Sequence, residues 1–395
     1  MILRTIMLSI YFGISTAIPN IGLCQHRLHI EHVTIATGDT DWDWCQARTA
    51  NIPTVSPYWL TTMSRTKKIG SHGYHDVYFS ISHDRGTSWS KPSLIPSLRR
   101  APRDDGYEVV AGDLWPRWHG TSRKILVTGK TFNFAGGTKE NFLRERIFYA
   151  VIEPEDNRCG RMRTVELPNY DHEGKPFLAP NAGCHQRVDL PMGDILLPIR
   201  YQKSDRKRIY TSIVARFHFD GETLTYLRHG SEHTLPTKRG LYEPSLTKFG
   251  DEFFLTMRAD DGAYVAKSFD GINFSEHKPW TFDDGNQLGS YNTQQHWCTI
   301  GQSLYLVYTR RGSQNDHIMR HRAPLFIARI DPGRLHVIRS TEQILVPENH
   351  ATLGNSGVCQ ISDSESWITV AEGRVSYGRR TGENNKIILA KVTVR

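Results

Sequence analysis

The chain is expected to be an all-β protein, a six-bladed β-propeller, and two observations predict this. Six runs of apolar and β-branched residues end on a basic side chain, at Arg65, Lys130, Arg200, Arg258, Arg310 and Arg374, and each is followed by a second apolar run. The pairs recur at roughly 50 to 70 residues, as blades do when each is one supersecondary unit that shares its core with its neighbours. No long amphipathic helical pattern interrupts them, and 32 Gly with 19 Pro supply the turns.

In chain order, residues 1–24 come first and read as a signal peptide. Arg4 precedes the stretch IMLSIYFGISTAI, which is too short to span a membrane and has the size of a signal core. Cleavage would leave Gln25 first, and the bulky Leu23 argues against a lipid anchor on Cys24. Export to the periplasm or beyond the cell is therefore expected, with no membrane insertion. Residues 25–395 carry evenly spread strands without a low-complexity linker, so one domain is predicted.

The strand pairs then follow: YWLTTMSR with VYFSIS, KILVTGK with RIFYAVIEP, DILLPIR with RIYTSIVARF, FFLTMR with AYVAKSFDG, SLYLVYTR with PLFIARIDP, and WITVAEGR with KIILAKVTV. Equivalent basic ends would form a ring of cations around one mouth of the propeller, which is an anion site in outline. Strand ends also meet solvent, where Arg and Lys are ordinary.

A net charge of +8 fits an anionic partner. The basic residues are dispersed through strands and form neither a basic helix nor an RNA-reading aromatic set, so nucleic acid is not expected. An acidic glycan is the natural partner. Cys45, Cys159, Cys184, Cys298 and Cys359 are odd in number and none forms CxxC, so neither a disulfide framework nor a zinc ribbon is indicated. Cys184-His185 and His296-Trp297-Cys298 could together offer metal ligands, but buried free cysteines are common and no cofactor is expected. Nothing marks a partner helix or an apolar seam, and a monomer is expected.

The segment Ser82-His83-Asp84-Arg85-Gly86-Thr87-Ser88-Trp89 fits S-x-D-x-G-x-x-W, and Ser268-Phe269-Asp270-Gly271-Ile272-Asn273-Phe274 is a shortened copy in the fourth strand pair. The chain resembles the sialidase-like superfamily, whose propellers carry this Asp-box hairpin as a folding element. Tyr242-Glu243-Pro244-Ser245 followed by FFLTMR looks like the sialidase stretch with a glutamate that activates the tyrosine nucleophile and an arginine that grips the substrate carboxylate. The resemblance implies those roles for Glu243 and Arg258, and the nucleophile's role for Tyr291 in Gly289-Ser290-Tyr291. It also implies an acid/base aspartate ahead of the first Asp-box strand, where Asp76 is the carboxylate available. The chain departs from the pattern at Ala50-Asn51-Ile52-Pro53, where Asn51 stands in place of an arginine, and no Arg lies between Arg258 and Tyr291. Arg200, Arg310 or Arg311 are the candidates to substitute.

Histidines open a second chemistry. His119 precedes the second strand pair and His185 the third, while Asp316 to Arg322, with His317 and His321, joins the strands of the fifth. Propeller lyases acting on uronic-acid polymers use His and Tyr with Arg. There an arginine such as Arg258 or Arg200 neutralises the uronate, and His185, His119 or Tyr291 would serve as base and acid. The leading expectation is an exo-acting glycoside hydrolase of sialidase type on acidic sugars. A uronate lyase and a catalytically silent glycan-binding propeller are the alternatives.

Overall fold

A computed structural model describes residues 27–68, 73–137, 139–376, 379–380 and 383–394. The signal peptide expected at 1–24 lies outside the described residues. Among the described residues six antiparallel sheets of four to six strands follow one another along the chain, and a two-stranded ribbon, Val375–Ser376 with Arg379–Arg380, is inserted in the last. Their inner strands are Trp42–Ile52, Glu108–His119, Leu178–Asn181 continued by Val188–Asp189, Tyr242–Phe249, His296–Ile300 and Ser356–Ser362. The six predicted pairs are the second and third strands of blades 1 to 6, so the propeller predicted from their recurrence is the fold observed.

Blade 6 is built from both ends of the chain. Leu28–Thr37 pairs antiparallel with Lys386–Val394 as its outermost strand, which closes the circle non-covalently. Each strand presents one face to each neighbouring blade, and among the described residues six of the buried apolar clusters fill the six blade junctions, while a small seventh, Val110, Phe132 and Phe134, lies in blade 2. Ile125, Phe148 and Leu60 fill the junction of blades 1 and 2, Ile195, Ile213 and Tyr149 that of 2 and 3, and Trp59, Trp367 and Leu389 that of 6 and 1. A buried Ile, Leu or Val contributes about 1.5–3 kcal/mol, so every blade depends on both neighbours.

The two Asp-containing hairpin turns repeat one geometry in blades 1 and 4. Asp84 accepts from the Ser88 backbone N–H at 2.9 Å and from Ser88 Oγ at 2.6 Å, and Asp270 accepts from the Asn273 backbone N–H at 2.7 Å and from Ser268 Oγ at 2.9 Å. Gly86 and Gly271 both have positive φ, and each lies against the preceding blade, on Trp367 and on Leu196 respectively. These turns join blades and lie away from the axial mouth.

Candidate functional site

Strand register places all six basic ends at the mouth where the inner strands begin. Lys130 lies opposite Gly112, Arg200 opposite Asn181 and Arg258 opposite Tyr242. At this level three inner strands bulge by the same device. The ladder slips after Cys45, Gly112 and Tyr242, and the next residue in each is left-handed: Gln46 at φ 57°, Asp113 at 51° and Glu243 at 46°. A side chain bearing Cβ costs roughly 1–3 kcal/mol there, and such strain persists only where the surroundings enforce it. Cys184 at φ 61° and Asn292 at 49° extend the set around the same mouth.

Asp113, Glu145 and Glu243 line one cavity with Lys130, Asn181, Arg200 and Tyr242. The expected ring of free cations is instead a ring of ion pairs. Arg65 meets Asp39 at 3.0 Å, Lys130 meets Glu145 at 3.2 Å, Arg310 meets Glu342 at 2.6 Å and Arg374 meets Glu372 at 3.0 Å. Arg200 is bonded to Glu145 and Arg258 to Glu243. A strand-end cation whose flanks are buried needs a counter-charge; Arg258 and Arg374 find theirs within the same hairpin or strand end, whereas the partners of Arg65, Lys130, Arg200 and Arg310 come from loops and a neighbouring blade.

The carboxyls differ in protonation. Burial works to raise Glu243, but Arg258 outweighs it and holds the group down at about 2. Asp113 is raised by burial, against the pull of Lys130 and of Arg48, whose Nη1 lies 4.0 Å away. Glu145 faces the same burial, yet Arg200 and Lys130 bring it below the ordinary range. One cavity thus holds a firmly ionised carboxylate and a second carboxyl biased toward its neutral form.

Arg322, from the connection within blade 5, is different from the ring. Its Nε donates to Thr293 Oγ1 at 3.0 Å and its Nη2 to the Asn292 carbonyl at 2.7 Å. Among the described residues it forms no ion pair with a carboxylate. Burial, with Arg258 and Arg320 nearby, lowers it to about 9, while Glu243 across the site pulls the other way. It lines a cavity with Gln46, Tyr74 and Asn355.

The remaining candidates separate. Glu243 and Arg200 line the central cavity, and Arg258 stands behind it, bonded to Glu243. Tyr291 stands with Arg311 3.8 Å over its ring and His321 edge-on at 5.6 Å. The tyrosines in the cavity wall are Tyr210 and Tyr242, and the Tyr242 hydroxyl donates to Asp260 at 2.7 Å. His185 is fully buried, with Nδ1 2.8 Å from the Pro198 carbonyl, and burial lowers it to about 3. His317 points to Glu348 at 3.8 Å and His321 to Asp316 at 3.4 Å.

Several readings of the sequence need correction. His119 is paired with Lys124 at the far end of its strand, and its ring nitrogens face Ser122 Oγ and the Gly193 carbonyl, so it holds a turn at the opposite mouth. Asp76 belongs to the third strand of blade 1 and not to a loop, and its Oδ1 accepts from the Arg100 backbone N–H at 2.7 Å. Arg310 is clasped by Glu342 and stacks toward Phe326, in the junction of blades 4 and 5, so its charge is not free for a ligand. Asn51 also lines a cavity at the opposite mouth. The guanidinium that blade 1 sends toward the axis is Arg48, fully buried and donating to Asn355 Oδ1 at 2.9 Å. His296 and Cys298 do not converge with Cys184-His185: the His296 nitrogens meet Ser245 Oγ and Gln294 Oε1, and Cys298 packs between blades 5 and 6.

Asp113, Glu145, Asn181 and Tyr242 were missed. Asp113 had a signal, being the one acid in the otherwise apolar VVAGDLW run, at the position Glu243 holds in its own strand. Glu145 had none, because both of its cations come from other segments.

The fold is a six-bladed β-propeller of the kind seen in solved sialidases. A Trypanosoma rangeli sialidase in complex with sialic acid matches with a TM-score of 0.64 at 10% identity, over 92% of this chain and 58% of that one. A protein of unknown function from Dyadobacter fermentans matches at 0.61 and 13% identity, over 93% and 99% of the two chains. A Penicillium chrysogenum α-L-arabinanase complexed with arabinobiose matches at 0.57 and 14%, over 92% and 97%. No protein-family model matches the sequence, and no curated protein does.

Proposed function

We propose that the protein is an exported glycoside hydrolase that removes a terminal acidic sugar at the axial mouth. The observation that carries this is the pair Asp113 and Glu243, set by matching bulges of blades 2 and 4 into one cavity with opposite protonation biases. Cleaving a glycosidic bond requires that combination, an acid for the leaving oxygen and an anion beside the oxocarbenium-like centre. Asp113 gives its proton to the leaving oxygen, and the hydroxyl of water ends on the anomeric carbon. The proton lost from that water restores a carboxyl of the pair.

Arg322 supports the acidic substituent. A shielded guanidinium without a carboxylate gains most from a ligand anion, which would supply the missing counter-charge. The structural likeness to a sialidase and an arabinanase agrees with a sugar substrate, at the level of fold. A lyase mechanism built on His119 and His185 finds less support, since one is at the other mouth and the other is a sealed, weak base.

Incubation with sialylated, uronate-containing and arabinan oligosaccharides tests the proposal. Reducing sugar should appear, and Asp113→Asn and Glu243→Gln should each lower the rate by about 100-fold or more. An unsaturated uronate product would make the protein a lyase, and binding without turnover a lectin.

A further inference from the structure

The central cavity is small, about 80 Å³, whereas ligand sites usually enclose roughly 300–1,000 Å³. A sugar reaching Asp113 and Glu243 must therefore extend beyond it. Phe142 and Arg208 line this cavity and also a cleft of about 410 Å³ that leads outward between blades 2 and 3.

The cleft is built for a polar ligand with apolar faces. Tyr107, Phe142 and the exposed Leu143 supply the apolar surface. Arg208 lies over the Phe142 ring with its guanidinium carbon 3.7 Å from the centroid. Asn141 Nδ2 donates to the Tyr107 hydroxyl at 3.2 Å, while Asn141 Oδ1 accepts from the Leu143 backbone N–H at 3.1 Å. The wall is thus fixed, and it runs directly into Glu145 of the central cavity. Glu140 is the second, independent observation: its Oε1 is buried in the cleft and has no hydrogen-bond partner. An orphaned buried oxygen is unfavourable, and a ligand hydroxyl would supply the missing partner.

We propose that the cleft walled by Tyr107, Glu140, Phe142, Leu143 and Arg208 is a second sugar subsite, holding the residue linked to the sugar that is cleaved; this rests on the hydrolase reading. Burial raises the Glu140 carboxyl to about 7. Near neutral pH it both donates and accepts, as a sugar hydroxyl does. An aromatic face beside such a group is a common way to seat a pyranose or furanose ring.

Calorimetry on the full chain tests the subsite by chain-length preference, independently of turnover. The probes are sialyllactose against sialic acid, trigalacturonate against galacturonate, and arabinotriose against arabinose. At least one longer probe should bind about 10-fold or more tightly than its monosaccharide. Tyr107→Ala and the exposed Leu143→Ser should each bring that ratio close to one, and Leu143→Ser carries little risk to folding. Equal affinities within all three pairs, or a ratio unchanged in both variants, would overturn the subsite. Failure of hydrolysis with the ratio intact would overturn the hydrolase and leave the subsite standing.

Discussion

Arg200, at the end of a blade 3 strand, donates to Glu145, on the loop inside blade 2, so a cation of the mouth is held by the neighbouring blade's carboxylate. Glu145 also accepts from Lys130 at 3.2 Å and from Asn181 Nδ2 at 3.1 Å. One fully buried carboxylate therefore balances two cations across a blade junction.

Removing Glu145 should consequently destabilise the whole propeller. Glu145→Ala leaves Lys130 and Arg200 as uncompensated shielded charges, a loss of about 3–5 kcal/mol. Denaturant unfolding should show a lower midpoint of that size, while Glu145→Gln, which keeps hydrogen bonds but loses the charge, should fall between. A change under about 1 kcal/mol in Glu145→Ala would mean that the pair is solvated in solution.

Glu243 should contribute to stability against acid. Its folded value, near 2, lies below the ordinary 4.5, so the unfolded chain binds the proton more readily. The contribution is fully present above about pH 4.5 and is lost as pH falls toward 2. Thermal midpoints of the wild type and of Glu243→Gln, compared from pH 6 to 2.5, should converge toward the acid end. Parallel curves would show that Arg258 does not hold the carboxylate in this way.

The fold was legible because propeller cores depend on local strand patterns, and each second and third strand carried its own apolar run. Glu243 and Arg258 were legible for a related reason, since they sit on one hairpin and pair within it. The failures have non-local causes. The reading of His119 rests on its distance from a strand pair, and strand register, which decides the mouth a residue faces, is invisible to that measure; Asp76 lies level with Arg65, but its carboxylate is taken up by the Arg100 backbone N–H from a later segment. Arg310 was placed at the right mouth, yet its partner Glu342 is supplied by a later segment. Bulges added a further shift: without one, Asp113 would alternate to the other face of its strand.

The hairpin glycines of blades 1 and 4 should respond to substitution more than an isolated turn glycine. Gly86 has φ 72° and a Cβ there would lie 2.7 Å from the Trp367 ring of blade 6, whereas Gly250, at φ 59°, has nothing within 4 Å. Gly250→Ala carries only the left-handed penalty of roughly 1–2 kcal/mol. Gly86→Ala adds a clash with a ring that is itself packed between blades, so its loss of stability should be clearly larger. Equal losses in urea titrations would show that the junction yields without cost.

Arg322 should separate binding from stability. Its guanidinium bonds Thr293 and the Asn292 carbonyl but has no ion-paired carboxylate among the described residues, and burial with Arg258 and Arg320 nearby weakens its hold on the proton. Replacing it by Met, of similar reach, removes an uncompensated charge as well as two hydrogen bonds, and these effects oppose each other. Arg322→Met should therefore lower the thermal midpoint far less than Glu145→Ala. The same change should weaken an acidic sugar about 10-fold or more, as loss of one charge-assisted bond of roughly 1.5–3 kcal/mol requires, and leave a neutral sugar nearly unaffected. Equal weakening of both sugars would make Arg322 a structural strut of the blade 5 connection, and the acidic substituent would then have to be read elsewhere.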